Sequence, residues 1–291
     1  MNYEVVHTTE YLYEGTISLC HNIARLMPRS TATQFCKKTN VHISPQPDAV
    51  NEYTDFFGNK VLYFAIQQEH KKLTVTVSSL ISKDNATPKN NYYNTISWEE
   101  ARKLFSEQRP EYFDARQYIP ETPMTEVSPE VTEYALASFT PGKSLFDAAS
   151  DLMQRIHNEF EFKPGFTTIA TPLITVMKLR KGVCQDFAHL AIACMRSMGL
   201  ASRYVSGYIE TLPPEGKEKL VGADASHAWF AVFIPQTGWV DFDPTNNQVP
   251  SDQHITIGWG RDYADITPLK GVILSSGHHK LNVSVDVKRV G

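Results

Sequence analysis

Two hydrophobic periods divide the chain. Up to residue 83 the apolar positions come in short runs. In "KKLTVTVSSLI" Leu73, Val75 and Val77 alternate with Thr74, Thr76 and Ser78, as a half-buried strand requires. "NYEVVHTT", "KTNVHISP" and "KVLYFAIQQ" share the same Val, Ile, Thr, Tyr and Phe enrichment, and Gly58-Asn59 supplies a turn between two such runs. Residues 83–95, "KDNATPKNNYYNT", have no period and read as a polar loop. Ser97 and Glu100 then stand at capping-box spacing for a short helix in "SWEEARKLF", and Pro110, Pro120 and Pro123 mark 106–127 as an ordered connector.

From residue 128 the period becomes helical. Ser128 and Pro129 occupy N-cap and first-turn positions of "SPEVTEYALASF". Between 144 and 160, Leu145, Ala148, Ala149, Leu152, Met153, Ile156 and Phe160 fall on one helical face. Thr171-Pro172 opens another helix, which Gly182 can end as its C-cap residue. A third begins at or near Cys184. Its apolar stripe is Phe187, Leu190, Ala191, Cys194, Met195 and Met198, and Gly199 stops it. Strand patterns follow at 202–210, 227–234 and 238–243, and Leu281, Val283, Val285 and Val287 alternate near the end. A β-rich part followed by helices and then strands is the α+β order.

Composition narrows the function classes. With 28 Lys+Arg against 32 Asp+Glu, a net charge of −4 offers no electrostatic footprint for nucleic acid or an anionic membrane. No apolar run approaches a membrane span, and the N-terminal residues lack the pattern of a secretory signal. Four cysteines without C-x-x-C fit neither a disulfide framework nor a zinc signature, which points to reduced thiols and a cytoplasmic location.

Of the four, Cys184 stands apart, because a thiol at a helix start is stabilised as thiolate by free backbone N–H groups and the helix dipole. Cys194, on the apolar stripe, reads as packing. His227 opens a strand on which Trp229 shares its face; on the next strand Trp239, Asp241 and Asp243 share a face, so either acid could orient the imidazole. His227 and Asp243 meet only if the two strands pair with an even index sum, which takes an odd-length loop or a bulge around "PQTG". Asp186 reads as a first-turn carboxylate and His189 as a packed or solvated histidine. Backbone N–H groups of Cys184 and Gln185 are candidate oxyanion donors. Trp229, Trp239 and Tyr263 are candidate cleft walls. His278-His279, in a polar turn, lacks the further ligands a metal would need. No loop has the D-x-D-x-D-G spacing of a calcium site, and no cofactor or metal is expected.

Three blocks in order, "GVCQDF" at 182–187, "HAW" at 227–229 and "WVDFDPT" at 239–245, resemble the transglutaminase-like superfamily. "GRDYADITPLKGV" resembles the segment that follows its core in the bacterial group, and "HTTEYLYEGTISLCHNIARLMPR" and "YTDFFGNKVLYF" resemble the associated N-terminal β-domain. Asp262 and Asp265 border the site by family position. The resemblance implies a papain-like α+β core, a cysteine helix packed on an antiparallel sheet, with Cys184 as nucleophile, His227 as base and acid, and Asp243 as orienting carboxylate. It divides the chain into an N-terminal β-rich domain (1–95), a connector with a short helix (96–127) and a catalytic domain (128–291). The activity it implies is cysteine-dependent acyl transfer on peptide or protein amides by a peptidase or amidase. The alternatives are a protein-glutamine transglutaminase and a binding module with a vestigial triad.

Overall fold

The computed structural model describes residues 1–84, 96–107, 109–211, 225–274 and 277–290, so nearly all of the polar loop at 83–95 lies outside the described residues. The N-terminal strands are β1 (Asn2–Ile17), β2 (Leu19–Ala24), β3 (Gln34–Ser44), β4 (Ala49–Thr54), β5 (Lys60–Ile66) and β6 (His70–Lys83). Leu73, Val75 and Val77 are buried, as their alternation predicts, against Ile17, Phe64 and Ile66. The turn at Gly58 uses a positive φ of 78°, which glycine takes without steric cost.

Two late strands complete this sandwich. β13 (Leu269–Leu274) pairs with β2, and β14 (His279–Arg289) pairs with β1 from Tyr3↔Arg289 to Tyr13↔His279. The two four-stranded sheets run β14-β1-β6-β3 and β13-β2-β5-β4. These strands fall within 128–291 but are built into the N-terminal unit. β1 has β6 on one side only, and its other edge of unpaired N–H and C=O groups takes β14. Val285 and Val287 are buried there beside Tyr3 and Val5.

The rest of the chain makes the helix-on-sheet core. Segment 96–127 is ordered. It holds α1 (Trp98–Ser106), capped by Ser97 Oγ accepting from Glu100 N–H, and the short α2 (Phe113–Arg116). Ala101, Phe105, Tyr112 and Ala115 enter the main core. α3 (Pro129–Leu136) and α4 (Leu145–Glu159) follow with Ser128 and Ser144 as N-caps, and Leu145, Ala148, Ala149, Leu152, Met153 and Ile156 of α4 are buried on one face.

α5 (Leu173–Leu179) ends at Arg180, a left-handed residue with φ 52°, and not at Gly182. Gly182 lies in the short strand β8 (Lys181–Gly182), parallel to β7 (Glu161–Phe162). Its glycine identity answers a different need: a Cβ there would stand 2.8 Å from Asp186 Oδ2. α6 (Cys184–Ser197) closes with the Gly199 N–H on the Arg196 carbonyl and the Leu200 N–H on that of Met195, a Schellman ending. Phe187, Leu190, Ile192 and Met195 of α6 are fully buried, each contributing about 1.5–3 kcal/mol.

α6 packs on an antiparallel sheet ordered β11-β10-β9-β12, made of β9 (Ser202–Ile209), β10 (Ala225–Ile234), β11 (Gly238–Phe242) and β12 (His254–Gly260). β12, like β13, is a strand that the period reading leaves out. Its outer edge is covered by side-chain amides of the N-terminal sandwich. Gln34 donates to the Thr256 carbonyl and accepts from the Thr256 N–H, and Asn59 does the same at Trp259. An apolar cluster of Tyr3, Val5, Ile81, Tyr208, Ile255 and Ile257 joins the two units beside them. Among the described residues no helix is long and apolar enough to cross a membrane.

Candidate active site

Cys184 is the first residue of α6, half-buried, with Val183 before it in extended conformation. The first helical hydrogen bond runs from the Phe187 N–H to the Val183 carbonyl, so the N–H groups of Cys184 and Gln185 have no partner within the helix. Asp186 holds this start in place. Its Oδ2 accepts from the Val183 N–H at 2.8 Å and from the Thr167 hydroxyl at 2.5 Å. Burial raises the Asp186 pKa and these two donors oppose the rise. Asp186 is thus a cap that braces the turn leading into the thiol.

His227 and Asp243 are brought together by hairpin arithmetic. Ile234 pairs with Gly238 and Phe230 with Phe242, an even index sum with a three-residue loop at 235–237. In that loop Pro235 precedes Gln236 at φ 68°, and the Thr237 N–H returns to the Ile234 carbonyl. Continued outward, the register sets Asp243 opposite Trp229, one diagonal step from His227. His227 Nε2 donates to Asp243 Oδ2 at 2.7 Å. The Cys184 thiol lies close enough to the His227 ring to act on its pKa. Burial alone would lower the His227 pKa; the bonds to Asp243 and Cys184 outweigh it and raise it to about 10.

Asp243 is fully buried and satisfied by five donors. Oδ1 accepts the N–H groups of Thr245 and Asn246, and Oδ2 accepts His227, Asn246 Nδ2 and His254 Nε2. Burial would raise its pKa, but the two histidines hold it well below the usual carboxylate range. Asp243 therefore forms the local turn before Pro244 and also faces His227. The rival Asp241 pairs across the ladder with Ala231 and faces Arg203.

His254 is the residue that sequence reasoning missed. It opens β12, 2.9 Å from Asp243 Oδ2. The period-two pattern of Ile255 and Ile257 in "HITIGWG" is the signal for that strand. Lys83, from β6, donates to the carbonyls of His254 and Ser251, and burial pushes its pKa down to about 8.

The other candidates are set apart from the thiol by their contacts. Cys194 is sealed in the core, where burial pushes its thiol up to about 12. His189 accepts the Tyr263 N–H at 3.2 Å, and burial, then Arg196, drives its pKa down to about 3. Trp229 is fully buried, packed edge-on to His254 at 5.2 Å, so it underlies the site and does not wall an open cleft. Trp239 lies edge-on to Tyr118 and is approached by the Arg203 guanidinium. Tyr263, half-buried, packs edge-on to Tyr204. Asp262 caps the turn Tyr263–Asp265, and Asp265 pairs with Arg261. His279 packs against Tyr11 and Tyr13.

His227, Asp243 and His254 are of metal-ligating types, their nearest ligand atoms within 4.8 Å of one another. Their arrangement is that of hydrogen bonds, with both Nε2 atoms aimed at the same carboxylate oxygen.

A thiol at the start of a buried helix, facing a sheet that carries histidine and aspartate, defines the papain-like α+β class. Sequence comparison agrees. The model of the transglutaminase-like superfamily matches residues 133–244, and that of the bacterial transglutaminase-like N-terminal region matches residues 3–82. The chain belongs to the transglutaminase-like superfamily, with the bacterial N-terminal region. It is 38% identical over 98% of its length to uncharacterised proteins of Mycobacterium tuberculosis and Mycobacterium bovis, of which it covers 92%. A protein-glutamine gamma-glutamyltransferase of Pseudomonas aeruginosa is 31% identical over 103 residues, 34% of this chain and 15% of that protein. A solved structure from Cytophaga hutchinsonii, whose cysteine-protease name is provisional, superposes with a TM-score of 0.75 at 20% identity, covering 99% of this chain and 90% of that one. That likeness shows a shared fold.

Proposed function

We propose that the chain is a cysteine-dependent acyl-transfer enzyme that hydrolyses amide bonds in peptides or proteins, with Cys184 as nucleophile, His227 as base and acid, and Asp243 as the orienting carboxylate. The observation that carries this reading is the position of the His227 ring, which donates from Nε2 to a saturated carboxylate and leaves Nδ1 for the nearby thiol at the helix start. Cys184 Sγ attacks the carbonyl carbon while the N–H groups of Cys184 and Gln185 face the developing oxyanion. His227 gives its proton to the leaving amine, and a thioester forms. Water then attacks, His227 takes its proton, and the acid departs from the regenerated thiol.

Amine in place of water gives transamidation, the reaction named for the Pseudomonas relative. Hydrolysis is favoured here because Cys184 is half-exposed, and a transferase must keep water from its thioester. All four cysteines are free thiols, which fits a reducing, cytoplasmic compartment. A peptide library assayed in parallel for amine release and for incorporation of a labelled primary amine tests the reading. Release exceeding incorporation supports hydrolysis, and the reverse overturns it. No turnover, with Cys184 no more reactive than a free thiol, leaves a binding module.

A further inference from the structure

Oδ2 of Asp243 takes three side-chain donors, two of them imidazoles. One imidazole suffices to orient a general base. The second belongs to His254, which is 1% exposed and lies beneath the edge of Trp229. Its Nε2 must donate, since the carboxylate can only accept. Among the described residues its Nδ1 is buried without a hydrogen-bond partner. An unmet buried acceptor costs on the order of 1–3 kcal/mol, so a side chain needed only to fill this space would be better apolar.

We propose that His254 is a positioning residue of the acyl-transfer reaction, a neutral N–H donor that fixes the Asp243 carboxylate so that His227 presents Nδ1 to Cys184. The inference rests on the function proposed above and adds a member to its machinery. Neutrality matters to the design. A cation at this place would compete with the His227 imidazolium for the same carboxylate, whereas an uncharged donor orients Asp243 and leaves its charge to His227. The charged groups around His254 agree with that state: Asp243 favours its cationic form, but burial, His227 and Lys83 oppose it and its pKa is lowered. Asp241, from β11, is the other acid facing it, and Arg203 also faces Asp241.

The backbone of His254 is held as firmly as its ring. Lys83 reaches across from the N-terminal sandwich to its carbonyl and to that of Ser251, and the strand beyond is braced by Gln34 on Thr256. The donor is thus positioned by a different part of the chain from the one that carries Asp243.

Alkylation of the full chain by iodoacetamide from pH 5 to pH 10 tests this without knowledge of the substrate, with Cys184→Ala giving the background of the other thiols. In His254→Gln an amide N–H replaces the imidazole donor; in His254→Phe the donor is gone. The expected result is that His254→Phe slows Cys184 alkylation at pH 6 about tenfold or more and moves its pH profile toward that of a free thiol, while His254→Gln stays within about threefold of the parent. An unchanged rate and profile in His254→Phe overturns the proposal, as does a His254→Gln variant equally impaired.

Should His254→Phe not fold, ¹⁵N-histidine spectra of the unmodified protein decide. A neutral Nε2–H tautomer for His254 at pH 7, perturbed by Asp243→Asn, supports the role, and an imidazolium or Nδ1–H tautomer overturns it. A parent Cys184 no faster than a free thiol is a separate outcome that removes the acyl-transfer reading itself.

Discussion

His227 Nε2 lies 2.7 Å from Asp243 Oδ2 because the strands that carry them are joined by an odd loop. One residue more or less at 235–237, without a compensating bulge, would turn the two side chains to opposite faces. Asp243→Asn is therefore expected to slow Cys184 alkylation at pH 6 about 100-fold, since the imidazolium loses its main partner. Asp241→Asn, beside Arg203, should lower Tm while leaving the alkylation rate within about threefold. Parallel rates and melting curves for the two variants make the comparison.

On the proposed mechanism, the raised pKa of His227 sets the alkaline limit of turnover. His227 carries its proton below a pKa of about 10 and loses it as pH rises through that value, leaving no acid for the departing amine. The basic limb of the pH profile of kcat/KM is expected near that pH, well above the range of an ordinary histidine. In Asp243→Asn it should move down toward neutrality.

Acid stability has the opposite sign. His7 and His189 are buried, with pKa values lowered from 6.5 to about 4 and about 3. Below pH 6.5 the unfolded chain binds protons that the folded chain refuses, so stability falls as pH drops from 6.5 toward 4. Each contributes a loss on the order of 1–2 kcal/mol by pH 5, since a tenfold change in proton affinity is worth about 1.4 kcal/mol. His227 works weakly the other way: with its pKa raised to about 10, its stabilising contribution becomes complete only below the unfolded value of 6.5, so it offsets part of the fall. Denaturant titrations at pH 7 and pH 5 should show the fall, and His189→Gln should reduce it.

Gln34 and Asn59 each satisfy one donor and one acceptor on the edge of β12. Gln34→Ala and Asn59→Ala leave those groups unmet and are each expected to cost about 1–3 kcal/mol in chemical denaturation. Because an apolar cluster also joins the two units, unfolding should remain a single transition. Two separated transitions would contradict that coupling.

Gly182→Ala places a methyl 2.8 Å from Asp186 Oδ2 and 2.9 Å from its Cβ. Asp186 must withdraw from the Val183 N–H, and the start of α6 shifts with it. The expected outcome is a Tm lower by several degrees and slower alkylation of Cys184. Gly142→Ala, with nothing within 4 Å of its Cβ but φ 77°, is the control for backbone strain alone.

The elements that carry Cys184, His227 and Asp243 are legible in the sequence because they follow local rules, a helix start, a strand and a short hairpin, although β10 begins at Ala225, two residues before His227. His254 is not, since its contact with Asp243 arises only when β12 pairs antiparallel with β9, at His254↔Ile209. The alternation of Val285 and Val287 announces a strand, but nothing in a period of two says which sheet it joins. Residue type alone makes Gly182 a helix end, whereas Arg180 takes the left-handed position and Asp186 crowds the glycine. The prolines of 96–127 suggest a connector; the burial of Phe105 and Tyr112 against Phe233 emerges only once the strands are in place.

The pairing of β1 with β14 has a consequence for the order of synthesis. β1 is made before the helices and the β9–β12 sheet, and its partner β14 after them. The sandwich that supplies Lys83 to the His254 carbonyl is therefore completed only after the residues of the helix-on-sheet core have been made. A chain cut between β12 and β14 would carry Cys184, His227 and Asp243 without the finished support behind them.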